Sequence, residues 1–383
     1  MHRSLLRTTY LAGFLFTFHI ALLSYVNSSF LATKIPETLI GLLYTASAFI
    51  AILGLYLIPK LIARFGSSKI LGLLVLINIA NILGLILSKN VAVIASCFTL
   101  YFAINTSLYL GIDILIEHWS DNSNQGAVRG MYLTAVNIGF MLAPLLGGFL
   151  MDRLGFNSLY TFALIILIPT LVIIALVLPK VTHIHTSKTN LLGLAKKFLR
   201  HPDFSAVFCI NFILQFFYCW MVIYSPIYLH EYVHLSWDTI GVIFTIMLSA
   251  FVLFQYIVGK IADRFNIERS LMILGLAITG LATLFVIKAP LMSFWVLAGT
   301  FFMTRVGASI VEISTESYFF RHVRHDDVGS MGFFRNTYPF AYILAPVLSS
   351  VILRFAPFWT LFAVLGVICF LGILVAKDIR QRP

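Results

Sequence analysis

Long apolar runs recur along the whole sequence, and they limit its possible folds more than any other feature. Each run is about twenty residues or longer, the length that an α-helix needs to cross a hydrocarbon core of ~30 Å. Because lipid cannot satisfy open backbone polar groups, runs this long and uniform predict helices and not barrel strands. The sequence therefore predicts an all-α membrane protein with twelve transmembrane helices. These twelve spans, in chain order, are 8–30, 37–59, 69–88, 91–117, 126–150, 158–179, 204–230, 238–261, 269–287, 290–318, 329–354 and 357–376.

Charge is scarce, and its distribution indicates an orientation. Only 11% of the residues are charged, too few to cover a water-facing surface. The net charge of +11 raises the question of nucleic-acid binding. With both termini in the cytoplasm, however, about twenty of the 26 Lys and Arg residues lie on the inner side and five on the outer side. This is the positive-inside rule. It predicts a multi-pass protein of the cell (plasma or inner) membrane, surrounded by lipid and without a nucleic-acid partner.

No pattern in the sequence is typical of an enzyme. There is no nucleotide-binding loop of the G-x-x-x-x-G-K-[ST] type, and no nucleophile–base pair stands out. The four cysteines lie inside apolar runs and form no C-x-x-C pair, while the histidines of the central polar gap are irregularly spaced. We therefore expect no catalytic site, no metal and no cofactor.

The two halves of the sequence resemble each other. "PKLIARFGSSK" (59–69) aligns with "GKIADRFNIER" (259–269) at an offset of 200 residues. "ILIEHW" (114–119) and "ISTESY" (313–318) follow at 199, and "APLLGG" (143–148) and "APVLSS" (345–350) at 202. Three landmarks in one order predict a duplicated six-helix unit. The expected bundles are 1–179 and 204–383, joined by a cytoplasmic linker at 180–203 with an interfacial helix.

The loop "GKIADRFNIER" resembles the loop motif of the major facilitator superfamily, in which G-x-x-x-D-R is followed by a further basic residue; Gly259, Asp263, Arg264 and Arg269 fit. With twelve spans in two repeats, the resemblance covers essentially the whole chain and implies an alternating-access transporter. Ala63 replaces the acid in the first copy. The family's motif implies a latch at the cytoplasmic gate, in which the acid caps a helix and the arginine pairs across the bundle. The alternative is a set of solvated loop charges. The predicted gate residues are Asp263, Arg264, Arg269, Glu316 and Arg335 in the second half, and Arg64, Glu117 and Arg129 in the first.

Span 5 resembles the G-x8-G-x3-G-P-x2-G-G pattern of antiporters in that family. Its sequence "GMYLTAVNIGFMLAPLLGG" (130–148) matches with Gly139, Pro144, Gly147 and Gly148, while Ala143 replaces one glycine. Small residues allow close helix approach and proline bends a helix, so generic packing is the alternative interpretation. The resemblance implies exchange or export.

Ionisable residues deep inside spans are costly and indicate function by default. Arg305, Glu312 and Glu316 share one face of span 10, and Asp113 repeats the position of Glu312 in span 4. A buried carboxyl near an arginine suits proton coupling or substrate contact. The alternative is a permanent Arg305–Glu312 ion pair that only stabilises the bundle. His19 in span 1 is a proton carrier or a packing histidine.

Other polar residues mark the helices that line the cavity in that family, namely spans 1, 4, 7 and 10. These residues are Asn105, Asn211, Gln215 and Tyr218. They complete a predicted pathway for substrate and protons. Our first prediction is a monomeric secondary transporter that exports a small organic solute in exchange for protons. An uptake permease or symporter for sugars or organic anions is the second, and a non-transporting receptor or assembly factor the third.

Overall fold

The computed structural model describes residues 2–119, 125–181, 201–322, 334 and 336–379. Short π-helices at Ile173–Val177 and Tyr228–Tyr232 and a 3₁₀ turn at Ala289–Leu291 accompany the α-helices. The α-helices are α1 (His2–Ser24), α2 (Asn27–Ala32), α3 (Glu37–Phe65), α4 (Ser67–Leu87), α5 (Val91–His118), α6 (Gln125–Val172), α7 (Pro202–Ile227), α8 (Trp237–Phe265), α9 (Glu268–Val286), α10 (Phe294–His322), α11 (Thr337–Phe355) and α12 (Thr360–Lys377).

The predicted all-α membrane fold is confirmed. Over the described residues, eleven helices are long and apolar enough to cross a membrane. The helix α6 holds two of the predicted spans, because Gly155 (φ 73°, ψ −177°) leaves the helical conformation within it. Dividing α6 at this glycine gives the twelve spans. Span 1 differs from its predicted bounds: α1 ends at Ser24, and the separate helix α2 continues the segment.

The chain folds as two compact units. The first comprises residues 1–186 and 236–241, and the second comprises 187–235 and 242–383. The proposed bundle limits at 179 and 204 stay a prediction. The interfacial helix predicted in the linker falls largely in 182–200, which lies outside the described residues.

In the first unit, α1 packs along α6, while α3 and α4 both pack on α5. Phe16, Leu71, Phe98 and Leu159 are completely buried in this core. Packing is close where small residues face larger ones. A Cβ atom on Gly111 of α5 would lie 2.2 Å from Cδ2 of Leu71 on α4. The first unit is thus built around α5, which carries Asn105 and Asp113.

In the second unit, α9 packs on α10 and α12, and α7 packs on α10, α11 and α12. Two glycines bring α9 and α10 together, since a Cβ on Gly307 would lie 2.6 Å from the carbonyl oxygen of Gly275. Trp220 of α7 donates its indole N–H to the carbonyl oxygen of Ala345 on α11 at 2.6 Å. The helices that carry the polar residues of this unit are therefore held in contact.

Candidate functional site

Three helices of the second unit converge on the carboxylate of Glu312. Tyr218 of α7 donates its hydroxyl to Oε2 of Glu312 at 3.2 Å. Gln255 of α8 donates its amide N–H to the same oxygen at 3.2 Å. Both partners are neutral. Over the described residues, this half-buried carboxylate therefore accepts hydrogen bonds and forms no ion pair.

Arg305 lies two helical turns before Glu312 on α10 and is 1% exposed. Its guanidinium carbon is 5.1 Å from the ring centroid of Phe217 and 5.3 Å from that of Tyr218, distances typical of cation–π contacts. Within the described residues, its Nε and Nη1 atoms have no hydrogen-bond partner. No ion pair with Glu312 is formed there either. This cation therefore keeps unused hydrogen-bond donors in a buried position.

The other polar residues of α7 follow the same side of the helix. Asn211, Gln215 and Tyr218 are spaced at i, i+4 and i+7, which places them along one face. Asn211 donates its amide N–H to Oγ1 of Thr337 on α11 at 3.0 Å. Gln215 is half-buried. This face leads from the α11 contact at Asn211 to the Glu312 cluster.

The first unit buries a polar cluster without formal charge. His19 is fully buried, with Nδ1 hydrogen-bonded to the carbonyl oxygen of Phe16. The His19 ring meets Tyr101 edge-on at 6.0 Å between centroids. One turn further along α5, Asn105 accepts a hydrogen bond from the amide of Asn78 at 2.5 Å. Over the described residues, Nε2 of His19 has no hydrogen-bond partner.

Asp113 lies two turns beyond Asn105 on α5 and is half-buried. It corresponds to Glu312 in the alignment of the two halves. The residue that corresponds to Arg305 is Thr106, whose hydroxyl donates to the carbonyl oxygen of Phe102 at 3.2 Å. The matching region of the first unit thus contains an acid but no arginine.

The predicted gate residues are only partly described. The side chains of Asp263, Glu117 and Arg129, and the whole of Arg335, lie outside the described part of the chain. The exposed guanidinium of Arg264 lies 5.3 Å from the ring of Phe265, and that of Arg64 lies 5.2 Å from the ring of Phe65. Arg269 is half-buried, and Glu316 is exposed. The predicted latch between these groups stays a prediction.

An ion pair at the same end of the second unit was not predicted from the sequence. Glu268, which is 4% exposed, pairs with Arg321 at 2.6 Å. Arg321 also donates to Oδ1 of Asn266, whose φ of 51° turns the chain from α8 into α9. Glu268 begins α9 within the charged motif and Arg321 lies in the last turn of α10, so their pairing depends on α9 and α10 being neighbours. This pair fixes the loop between α8 and α9.

The glycine-rich pattern of span 5 makes close contacts inside the first unit. A Cβ on Gly148 would lie 2.3 Å from the carbonyl oxygen of Trp237, and one on Gly241 would lie 2.4 Å from that of Pro144. Gly147 faces the carbonyl oxygen of Leu22 at 3.6 Å, and Gly139 faces the ring of Phe14 at 3.2 Å. These glycines let backbones approach one another.

Asp152, four residues beyond Gly148, is a second contact that was not predicted. Its carboxylate accepts the backbone N–H of Trp237 at 2.8 Å and that of Asp238 at 2.7 Å. These groups open α8, so the acid caps the helix and matches the positive end of its dipole. The sequence separation of 85 residues leaves no local signal for this cap.

The sequence matches a protein family, and the fold is similar to those of solved transporter structures. The model of the Major Facilitator Superfamily matches residues 9–238 and 208–382. A crystal structure of a variant of the nucleoside transporter NupG has a TM-score of 0.81 and 14% identity, covering 98% of this chain and 99% of that one. The human organic anion transporter MFSD10 (TETRAN) has a TM-score of 0.68 and 14% identity, with the same coverage of 98% and 99%.

At this identity the two structures are similar in fold alone. A comparison with curated proteins finds no match. The family match, by contrast, extends over both units and includes the Glu312 cluster and the glycine-rich pattern. The chain therefore belongs to the Major Facilitator Superfamily, and it is a multi-pass membrane transporter and not an enzyme.

Proposed function

We propose that this secondary transporter exchanges a small organic solute for protons by alternating access, with Glu312 as the proton-carrying group. The observation behind the proposal is the pair of neutral donors, Tyr218 and Gln255, on a carboxylate at membrane depth. Over the described residues Glu312 forms no ion pair, so no partner cation there loses its counter-ion when the carboxyl gains a proton. Both protonation states therefore remain compatible with the surrounding side chains, as a reversible proton site requires.

Arg305 is proposed as the substrate-contacting residue. Its guanidinium is buried between aromatic rings, and within the described residues two of its nitrogens have no hydrogen-bond acceptor. A carboxylate or phosphate group of a solute would satisfy those donors. The same observation favours the second candidate function, which is uptake of an organic anion by symport.

Exchange is favoured over uptake by the pattern of span 5. The contacts of Gly148 and Pro144 with the start of α8 are consistent with a constraint on helix packing at this point. We also assign His19, Asn105 and Asp113 to a polar route in the first unit, with lesser roles than Glu312. The proposed setting is a monomer in the cell membrane with both termini in the cytoplasm.

The gate remains part of the proposal. Asp263 and Arg264, with Glu316 and Arg335, would close the cytoplasmic side, and Arg64, Glu117 and Arg129 would form a weaker copy. The recurrence of these charges in both halves supports it. We expect Asp263→Asn to lower transport at normal membrane expression, while Lys260→Gln in the same helix retains it. Equal transport by the Asp263 variant and wild type would show that Asp263 is an ordinary loop charge.

The direct test of function is uptake into proteoliposomes from a panel of nucleosides, sugars, organic anions and amphipathic amines. We expect one class to accumulate only when a pH gradient is imposed. Counterflow of that substrate without a gradient should persist, because exchange needs only the binding site. Transport of a substrate that is indifferent to the pH gradient would contradict proton coupling.

A further inference from the structure

A groove in the first unit lies away from the buried polar clusters. It has a volume of about 510 Å³ and is lined by residues from the start of α4, the end of α6 and the π-helix that follows. That volume falls in the range of ~300–1,000 Å³ that is common for small-molecule sites. Its floor is apolar and includes Leu73, Leu76, Leu171 and Ala175. Leu73 and Leu76 are 51% and 53% exposed, so this apolar face is open at the surface of the first unit.

Two lysines form the polar end of this groove. Lys69 in the first turn of α4 and Lys180 beyond the π-helix both line it, together with Ser68. Both lysines are exposed. Over the described residues, no acidic side chain lines the groove. The groove therefore combines a cationic end with an apolar body.

The backbone holds Lys180 in place. Ser68 donates its hydroxyl to the carbonyl oxygen of Leu178 at 2.8 Å. Ser67 donates its backbone N–H to the carbonyl of Val181 at 2.9 Å, and its hydroxyl oxygen accepts the Val181 N–H at 3.0 Å. Lys180 thus lies between two residues that are hydrogen-bonded to the start of α4.

Gly66 makes room for the lysine stem. A Cβ at this position would lie 2.4 Å from Cγ and Cε of Lys180, so the alkyl chain runs directly over the glycine. Its φ of 90° also requires a glycine in practice. The aliphatic part of Lys180 lies on the protein, which leaves the ammonium group for an outside partner.

We propose that this groove binds an anionic phospholipid, with its phosphate at Lys69 and Lys180 and an acyl chain along Leu73, Leu76 and Ala175. The distribution of basic residues predicts that this end faces the cytoplasm, where the leaflet is rich in anionic lipids. The chain that follows Lys180 is itself basic, with Lys188, Lys196, Lys197 and Arg200, so it does not complement the two lysines. This assignment is independent of the transported substrate.

The test is a titration of the purified full-length protein with phosphatidylglycerol, using its melting temperature and the lipid retained in native mass spectrometry. We expect phosphatidylglycerol to bind more tightly than phosphatidylcholine with the same chains. Each lysine near an anionic surface contributes a factor of about five, so Lys69→Gln with Lys180→Gln should weaken binding by about 25-fold. Each single variant should weaken phosphatidylglycerol binding about fivefold. Equal binding by the double variant and wild type would overturn the proposal.

A matched control is the pair Lys60→Gln with Lys260→Gln, which removes the same charge. Both lysines lie over tyrosine rings, Tyr56 and Tyr256, outside the groove. We expect this control to bind phosphatidylglycerol like wild type. An equal loss in the control would mean a general charge effect and would overturn the site.

The apolar part has its own test. Ala175→Phe fills the groove while both lysines remain, and it should weaken binding of the lipid. Wild-type affinity in this variant would overturn the placement of the acyl chain. Stabilisation by glycerol phosphate as strong as that by phosphatidylglycerol would also contradict a lipid site, because the apolar groove would then contribute nothing.

Discussion

The two units place different chemistry in corresponding positions. In the second, α10 carries a buried arginine and a carboxylate, Arg305 and Glu312, with separate partners. In the first, an offset of 199 residues leads from Arg305 to Thr106, whose hydroxyl is satisfied within its own helix. The nearby buried residues His19 and Asn105 carry no formal charge there. The aligned positions therefore hold a buried cation, Arg305, in the second unit and a neutral residue, Thr106, in the first.

The loops at one end of the units differ in a similar way. Between α8 and α9, Arg321 joins Asn266 and Glu268, so side-chain charges tie the loop to α10. Between α3 and α4, backbone and serine hydrogen bonds tie Ser67 to Val181 instead. The loop between α3 and α4 is thus held although Ala63 replaces the acid of the motif. An arginine thus holds the loop of the second unit, whereas neutral groups hold the corresponding loop of the first.

Among the changes that test this comparison, removal of the buried Arg305 charge should have the largest effect on transport. Arg305→Met should reduce transport by about 30-fold or more, because loss of a buried charged contact costs at least ~2 kcal/mol. The melting temperature should stay level or rise, since two of the nitrogens lost, Nε and Nη1, have no hydrogen-bond acceptor within the described residues. Arg305→Lys, which keeps the charge without the planar guanidinium, is the control and should retain part of the activity.

That experiment separates a substrate contact from a structural charge. A clear drop in the melting temperature of Arg305→Met, with transport falling only in proportion to folded protein, would assign Arg305 to bundle stability. Uptake and thermal unfolding should therefore be measured on one preparation.

A smaller effect, on stability, is expected from changes in the α3–α4 and α8–α9 loops. Glu268→Gln removes the charge that Arg321 contacts, and should lower the free energy of unfolding by about 1–3 kcal/mol. Ser67→Ala in the first unit removes a neutral acceptor from the Val181 N–H, and should cost about 1 kcal/mol. Thermal unfolding of both variants in one detergent measures the difference. A greater loss in Ser67→Ala than in Glu268→Gln would contradict this difference between the two loops.

The smallest effect is expected at the acid of the first unit. Asp113→Asn should leave pH-driven transport within about threefold of wild type, because we place proton coupling at Glu312 in the second unit; that factor corresponds to ~0.7 kcal/mol. Initial rates in proteoliposomes provide the measurement. If Asp113→Asn abolished transport, coupling would have to be shared by both units.

Sequence reasoning identified the spans and the unusual side chains, for physical reasons that can be stated. A helix in lipid needs a long apolar run, and an ionisable group such as Arg305 or Glu312 is conspicuous inside one. The partners of those groups could not be predicted, because Tyr218 and Gln255 come from other helices and no local pattern specifies that α7 and α8 meet at Glu312. The Asp152 cap on α8 was missed for the same reason.

The alternative of an Arg305–Glu312 ion pair illustrates this limit. The two residues are seven positions apart, about 10 Å along the helix axis at 1.5 Å per residue. Two long side chains can span that distance, so spacing alone allows the contact. In the structure, Arg305 instead packs against the rings of Phe217 and Tyr218, and Glu312 accepts hydrogen bonds from neutral donors.

The most direct test of the central claim is pH-driven accumulation by Glu312→Gln in proteoliposomes. The amide oxygen can still accept hydrogen bonds from Tyr218 and Gln255, so we expect near-normal melting temperature and retained exchange without a gradient. Accumulation driven by the pH gradient should be abolished, because the amide does not titrate. A folded Glu312→Gln protein that still concentrates its substrate against a gradient would contradict the role of Glu312 in coupling.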